Sequence, residues 1–424
     1  MSGVTDLSRK IEKQLPGELV GFMRLAGGMV QGKGQQLCLV GGVVRDLLLG
    51  RENFDIDLVL EGDAIDLARE LSDLKPGKIT THPRFGTAKL QWDHWSVDLT
   101  TARAETYARP GALPTVRPAA IRDDLFRRDF TINAMAIELN SGRYGRLFDV
   151  YGGQNDLKQK HVRVLHEKSF IDDATRIWRG LRYEQRLGFR LEPTTLRWLK
   201  RDIACLDTVS GDRIRCELEL VLQEAYPEKI LNRARELGVL SRLHPALQGD
   251  RGLAEKFEQA RRMRLPGLSL IGLYLALLAY FLTREENERL ISYLRLCKSA
   301  ARTLRDTIDL KARLKSLDDP GLTPSRVYVL LHGYSTSAVA ANFLAGDSPV
   351  ACRYLDLFLK ELCYVKPIFG GEDLKKLGVS PGPRLKEILD RLLEAKLDRQ
   401  AITKQDEKDL VRRWLGGEYS GGDA

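Results

Sequence analysis

Cysteine is scarce and scattered. Its six positions in 424 residues, Cys38, Cys205, Cys216, Cys297, Cys352 and Cys363, include no C-x-x-C pair and lie mostly among apolar neighbours. That distribution argues against a disulfide framework and a thiolate zinc site, and the reducing cytoplasm is the expected compartment. The six histidines show no ligand spacing either. The N-terminal stretch from Met1 to Lys10 lacks the apolar segment of a secretory signal. The longest apolar run, Leu268 to Leu282, is shorter than the roughly 20 residues a membrane span needs, so it is read as a buried core helix. Repeats and low-complexity tracts are missing, apart from a glycine-rich tail end expected to fray.

What is present is a globular chain. A hydrophobic content of 43% supports real cores, and 67 Lys and Arg against 58 Asp and Glu leave a net charge of +9, which suits an acidic partner such as a nucleic acid or an anionic membrane. From about residue 18 to 150, strands and helices mix. Cys38 to Val40 and Phe54 to Leu60 read as strands and Asp63 to Leu74 as a helix, while Ala88 to Trp92 and Ser96 to Leu99 read as a hairpin-like pair and Asn133 to Glu138 leads into another strand. After Ile171 the periodicity is helical, with Ser169 or Asp172 placed to cap the first helix and Gly188 to interrupt it. Pro-Gly clusters at 318–324 and 379–383 divide the helical part further.

The chemistry concentrates in Leu39-Val-Gly-Gly-Val-Val-Arg-Asp46 and Phe54-Asp-Ile-Asp-Leu58. Alternation along a strand projects Asp55 and Asp57 to one face, where two carboxylates repel unless a cation lies between them. Mg²⁺ is commonly bound by one or two carboxylates plus substrate phosphates. Asp98, in the similar strand Ser96-Val-Asp-Leu-Thr100, is a candidate third acid. Upstream, Gly41 and Gly42 allow close backbone approach at a helix N-terminus, whose free N–H groups suit a phosphate, and Arg45 adds a charge one turn on. Anion cradle and metal carboxylates in one short segment are what nucleotidyl transfer requires, with metal and cations holding a triphosphate while a hydroxyl attacks in line.

Further along come Arg127-Arg-Asp-Phe-Thr-Ile-Asn-Ala-Met-Ala136 and Asp149-Val-Tyr-Gly-Gly153. With Gly41-Gly-Val-Val-Arg-Asp46 and Asp55-Ile-Asp57, and in this order, they resemble the bacterial tRNA nucleotidyltransferases, or class II CCA-adding enzymes, with bacterial poly(A) polymerases as close relatives. The stretch Phe170 to Phe189 resembles that family's Glu-Asp-x-x-Arg nucleotide-selecting motif and the arginine helix after it, with Asp172 standing where the family has glutamate. Asp172 is expected to orient the arginine. On a helix Asp173 and Arg176 would be neighbours, and Arg176, Arg179 and Arg182 would share a stripe. A carboxylate accepting from an exocyclic amine and an arginine donating to ring acceptors would admit cytosine and adenine and refuse uracil and guanine. Ser210-Gly-Asp-Arg-Ile-Arg-Cys-Glu-Leu218, Gly371 to Gly378 and Pro381 to Pro383 also resemble family segments, and 102–123 occupies the place of the family's flexible loop.

The resemblance implies an α/β nucleotidyltransferase head at 18–150, then an all-α neck at 151–222 carrying the nucleotide-selecting motif, a body at 223–315 and a tRNA-binding tail at 316–424, in a seahorse-like shape. It implies Asp55, Asp57 and Asp98 as catalytic acids, the first two as Mg²⁺ ligands. Nucleotide binding would fall to Gly42, Arg45, Arg128, Asp173, Arg176, Arg179 and Arg182. The expected activity is untemplated addition of CMP and AMP to tRNA 3′ ends from CTP and ATP, with no membrane and no obligate protein partner. A-only, CC-only and poly(A) addition are the alternatives within the family, and an RNA-binding protein with an inactive head is the alternative outside it. The full 102–123 segment speaks against the CC-only enzyme.

Overall fold

A computed structural model describes residues 5–75, 77–247 and 252–417. Most of the glycine-rich tail end, at 418–424, lies outside them. The chain divides into two compact units, Met1–Arg242 and Leu243–Ala424.

Nine strands precede the helical part of the first unit: β1 (Leu37–Val40), β2 (Ile56–Leu60), β3 (Lys78–His82), β4 (Thr87–Trp92), β5 (Trp95–Thr101), β6 (Arg103–Thr106), β7 (Thr115–Pro118), β8 (Ala136–Glu138) and β9 (Leu147–Phe148). Seven of them form one sheet in the order β3-β4-β5-β2-β1-β8-β9, and β6 and β7 form a separate antiparallel pair. All four residues of β1 are apolar and buried, as befits a central strand covered on both faces. It runs antiparallel to β2, with Val40 opposite Asp57, and to β8. Only β2 and β5 pair in parallel within this sheet. The crossover this demands includes helix Ala64–Leu74, which buries Leu67, Ala68 and Leu71 and packs on β4 and β5. Asp63 caps that helix by accepting from the N–H groups of Ile65 and Asp66.

Helices α1 (Ser8–Gln14) and α2 (Gly17–Gln31) precede the sheet, and α3 (Gly42–Leu49) follows β1 directly. Naming Ala64–Leu74 α4, the first unit continues with α5 (Ile121–Phe126), α6 (Gly153–Gln159), α7 (Ser169–Asp172), α8 (Thr175–Leu187), α9 (Pro193–Asp202), α10 (Gly211–Leu222) and α11 (Pro227–Glu236). Gly188, at φ 69°, terminates α8 as expected. The expected capping differs, because Ser169 and Asp172 lie inside α7, and Asp173 accepts from the Thr175 N–H at the start of α8.

The elements of the second unit's described residues are all helices. The apolar run at 268–282 supplies the buried helix Leu270–Leu278, which packs against Lys298–Arg313 and Thr336–Ala345. A separate cluster of Phe369, Leu374, Val379, Ile388, Leu392 and Val411 holds the last helices together.

Candidate active site

The carboxylates come from the sheet. Asp57 on β2 and Asp98 on β5 are register partners in the parallel pair. Asp55 is not a strand residue; it immediately precedes β2, and its N–H donates to Asn53 Oδ1 at 3.0 Å. Strand alternation therefore does not explain the Asp55–Asp57 pairing, which depends on the turn. Oxygen atoms of Asp55, Asp57 and Asp98 nevertheless lie within 4.8 Å of one another. Burial pushes the Asp57 carboxyl up to about 6, Arg128 opposes that rise, and Asp55 and Asp98 add to it. Lys89, opposite Asp98 on β4, donates to Asp98 Oδ2 at 3.0 Å. An all-carboxylate set under mutual repulsion fits a hard divalent cation.

Gly41 joins β1 to α3 at φ 80° and ψ −144°, a conformation that glycine alone adopts readily. A Cβ there would sit 3.2 Å from both Arg128 Nη1 and Asp57 Oδ2. The next helical residues leave first-turn N–H groups facing the turn. Arg45 is not the free cation the sequence suggests. It is 3% exposed, its Nε and Nη2 donate to Asp46 at 2.9 and 2.8 Å, and its Nη1 donates to Asn133 Oδ1 at 2.7 Å. Asp46 also accepts from Asn53, so this group ties α3 to the turn before β2 and to the segment after α5.

Arg127 and Arg128 follow α5 and are largely buried rather than a solvated patch. Asp124, fully buried, pairs with Arg127 at 2.7 Å and Arg128 at 3.1 Å. Burial disfavours its ionisation, but Arg128 and Arg127 outweigh that and hold its carboxyl below the ordinary value. Arg128 Nε is buried with no hydrogen-bond partner among the described residues.

These groups and the arginines of α8 line one cavity of about 830 Å³. Gly42, Arg45, Asp55, Asp57, Arg128, Asp173, Arg176, Arg179 and Arg182 all reach it; Asp98 joins through the carboxylate cluster instead. Asp173 and Arg176 are not neighbours on one helix, because Asp173 ends α7 in extended backbone at φ −144°. Its Oδ1 accepts from Arg213 at 2.7 Å and from the Thr175 hydroxyl at 2.7 Å. Arg176 donates to the backbone carbonyls of Arg127 at 2.6 Å and Ser169 at 3.3 Å. Asp172 stands 3.9 Å from His166 Nε2. Of the stripe, Arg179 pairs with Asp129 at 2.9 Å and Arg182 with Glu224 at 3.5 Å.

The segment read as a flexible loop contains the β6–β7 hairpin. Glu105 Oε1 accepts from Arg103 at 3.2 Å and Arg127 at 3.1 Å, and its Oε2 accepts from the Tyr107 hydroxyl at 2.8 Å. Tyr107 and Pro114 line the cavity. At the hairpin tip Gly111, φ 76°, packs so closely that a Cβ would overlap the Thr208 carbonyl. Among the lining residues that sequence reasoning did not single out, Arg213 and Asp129 lay within recognised motifs. Glu105 and Tyr107 had no signal, because their roles depend on the hairpin.

Residues 37–163 match the Poly A polymerase head domain, and 188–250 match the probable RNA and SrmB-binding site of polymerase A. The A-adding tRNA nucleotidyltransferase of Geobacter sulfurreducens is 34% identical over 95% of this chain and 48% of its own length, so the chain spans about half of that relative. That of Halalkalibacterium halodurans is 33% identical over 93% of this chain and 92% of its own. A solved CCA-adding enzyme in an apo form superposes with a TM-score of 0.82 at 33% identity, covering 97% of this chain and 99% of that one. The Thermotoga maritima CCA-adding enzyme complexed with tRNA gives 0.78 at 32%, covering 98% and 100%. Matched along nearly its whole length by these relatives and structures, the chain belongs to the family of tRNA nucleotidyltransferases that includes the A-adding and CCA-adding enzymes.

Proposed function

We propose that the protein transfers nucleotides without a template to the 3′ end of tRNA in the cytoplasm. The observation that carries this reading is the convergence of Asp55 and Asp57, clustered with Asp98, and of Gly41, Arg128 and the α8 arginines on one cavity. A Mg²⁺ ion held by Asp55 and Asp57, with Asp98 beside them, would supply charge stabilisation for the attacking 3′-oxygen and the leaving pyrophosphate. The chain's own residues do the rest. The turn at Gly41 and Gly42 lets phosphates approach the first-turn N–H groups of α3. Arg128 and Asp57 both stand against that turn, and Arg179 and Arg182 add positive charge along the cavity wall. Asp173 and Arg176 read the base. Asp173 keeps one acceptor oxygen for an exocyclic amine while Arg213 and Thr175 fix the other, and Arg176 is aimed by two backbone carbonyls.

Whether CMP is added as well as AMP divides the two readings. Full CCA addition, ranked first from the sequence, agrees with the similarity to CCA-adding structures. Addition of AMP alone is favoured by a selecting pair already locked by Arg213 and backbone and by a hairpin docked at its tip. These features suit one fixed pocket better than one that reshapes between bases. Whole-chain similarity to A-adding relatives also favours it. A-only addition is the reading adopted, with product length on tRNA ending in CC and on tRNA lacking it as the test.

A further inference from the structure

Phe126 is the last residue of α5, next to the buried Leu125, and is 43% exposed. Two rings from different segments rise against it. Tyr151 lies 5.6 Å away between centroids, tilted by 40°, and His166 lies 5.0 Å away, tilted by 32°. The Tyr151 hydroxyl donates to the Arg122 carbonyl at 3.0 Å, which fixes its ring relative to α5. Burial and the nearby Arg176 hold His166 below its ordinary value, so its ring is neutral near pH 7 and presents an aromatic face. Even with two rings packed on it, much of Phe126 remains open to solvent; Arg122, one turn earlier on α5, and Lys168, whose charge acts on His166, are both exposed.

The three rings do not line the nucleotide cavity, but they neighbour residues that do: Arg176, whose charge acts on His166, is in its wall. Arg127, the residue after Phe126, lines that cavity, and Arg128 reaches the Gly41 turn beside Asp57. An RNA end that places its hydroxyl at Asp57 has no template base to pair with, so its terminal base needs another support. Aromatic faces flanked by cations supply one for any base. Resting on the nucleotidyl-transfer reading above, we propose that Phe126, with Tyr151 and His166 behind it, is a stacking platform for the terminal base of the RNA acceptor.

The test uses the full chain and tRNA carrying 2-aminopurine at its 3′ terminus. Stacking on Phe126 quenches the fluorescence when the wild-type protein binds. Phe126→Leu keeps the apolar volume but removes the aromatic face. It should lose most of the quench and raise the KM for tRNA about fivefold or more, the lower end of what losing one base–aromatic stack costs, while ATP affinity measured without RNA stays unchanged. Phe126→Trp should restore the quench. Wild-type quench and KM in Phe126→Leu would overturn the proposal, as expected if the patch meets a protein instead, and so would a parallel fall in ATP affinity. A wild-type protein that quenches through Phe126 yet transfers no nucleotide would preserve the platform and sink the nucleotidyl-transfer reading.

Discussion

At Asp57 a half-buried carboxylate faces two others, and its proton affinity is raised first by burial and then by Asp55 and Asp98, with Arg128 opposing the rise. Asp57→Asn removes a hard anionic donor from a site whose catalysis is electrostatic, so nucleotide incorporation should fall at least about 100-fold with tRNA binding retained. Near wild-type incorporation by that variant in Mg²⁺ would remove Asp57 from the site. Asp124 has the opposite sign. Its folded-state carboxyl sits below the ordinary 3.8, so its contribution to stability is present above 3.8 and lost as pH falls through the lower folded value. Asp124→Asn leaves Arg127 and Arg128 without their shared anion and should destabilise the protein by about 3 kcal/mol at pH 7. Urea unfolding at pH 7 and near pH 3 checks both points, since the variant's penalty should shrink at the lower pH; a penalty independent of pH would contradict the account. The acids themselves were legible in sequence because Asp-x-Asp and Asp98 sit beside recognisable strands. The fate of Arg45 was not, because pairing with its own neighbour Asp46 depends on rotamers that spacing does not reveal.

At the scale of elements, β2, α4 and the β4–β5 hairpin were visible as alternation, helical periodicity and a short turn, with boundaries displaced by one or a few residues. The hairpin at 103–118 was not, because Pro and Gly in 102–123 read as mobility, whereas its order comes from the distant partners Arg127 and Thr208. Likewise Asp173 looked helical by spacing, but its bonds to Thr175 and Arg213 draw it out of the helix. The Glu105 network therefore has a measurable role. Glu105→Gln keeps the shape but removes the charge shared by Arg103 and Arg127, and amide exchange in 103–118 should accelerate while β1 and β2 remain protected. Unchanged exchange there would mean that the hairpin is held by its tip alone.

At the scale of the whole molecule, the head and helical organisation followed from the motifs and the change of periodicity at about residue 171. The packing of the second unit did not, since its helices carry apolar faces without any signal naming their partners. The net charge of +9 points to an acidic partner, and several α8 and α9 arginines are engaged by acids, among them Arg179, Arg182 and Arg201. Their phosphate contacts must compete with those pairs. Affinity for tRNA should still fall about tenfold or more between about 50 and 200 mM salt, and insensitivity over that range would argue against a phosphate-reading partner. Template-free transfer to tRNA is read out by product length. Purified protein, Mg²⁺, CTP and ATP are supplied with tRNA ending in CC and, separately, with tRNA ending at the base before CC. One A should be added to the first, and the second should not be extended. Extension of the second by three residues would overturn A-only addition in favour of CCA addition, and no incorporation into either would mean that the protein is not a tRNA nucleotidyltransferase.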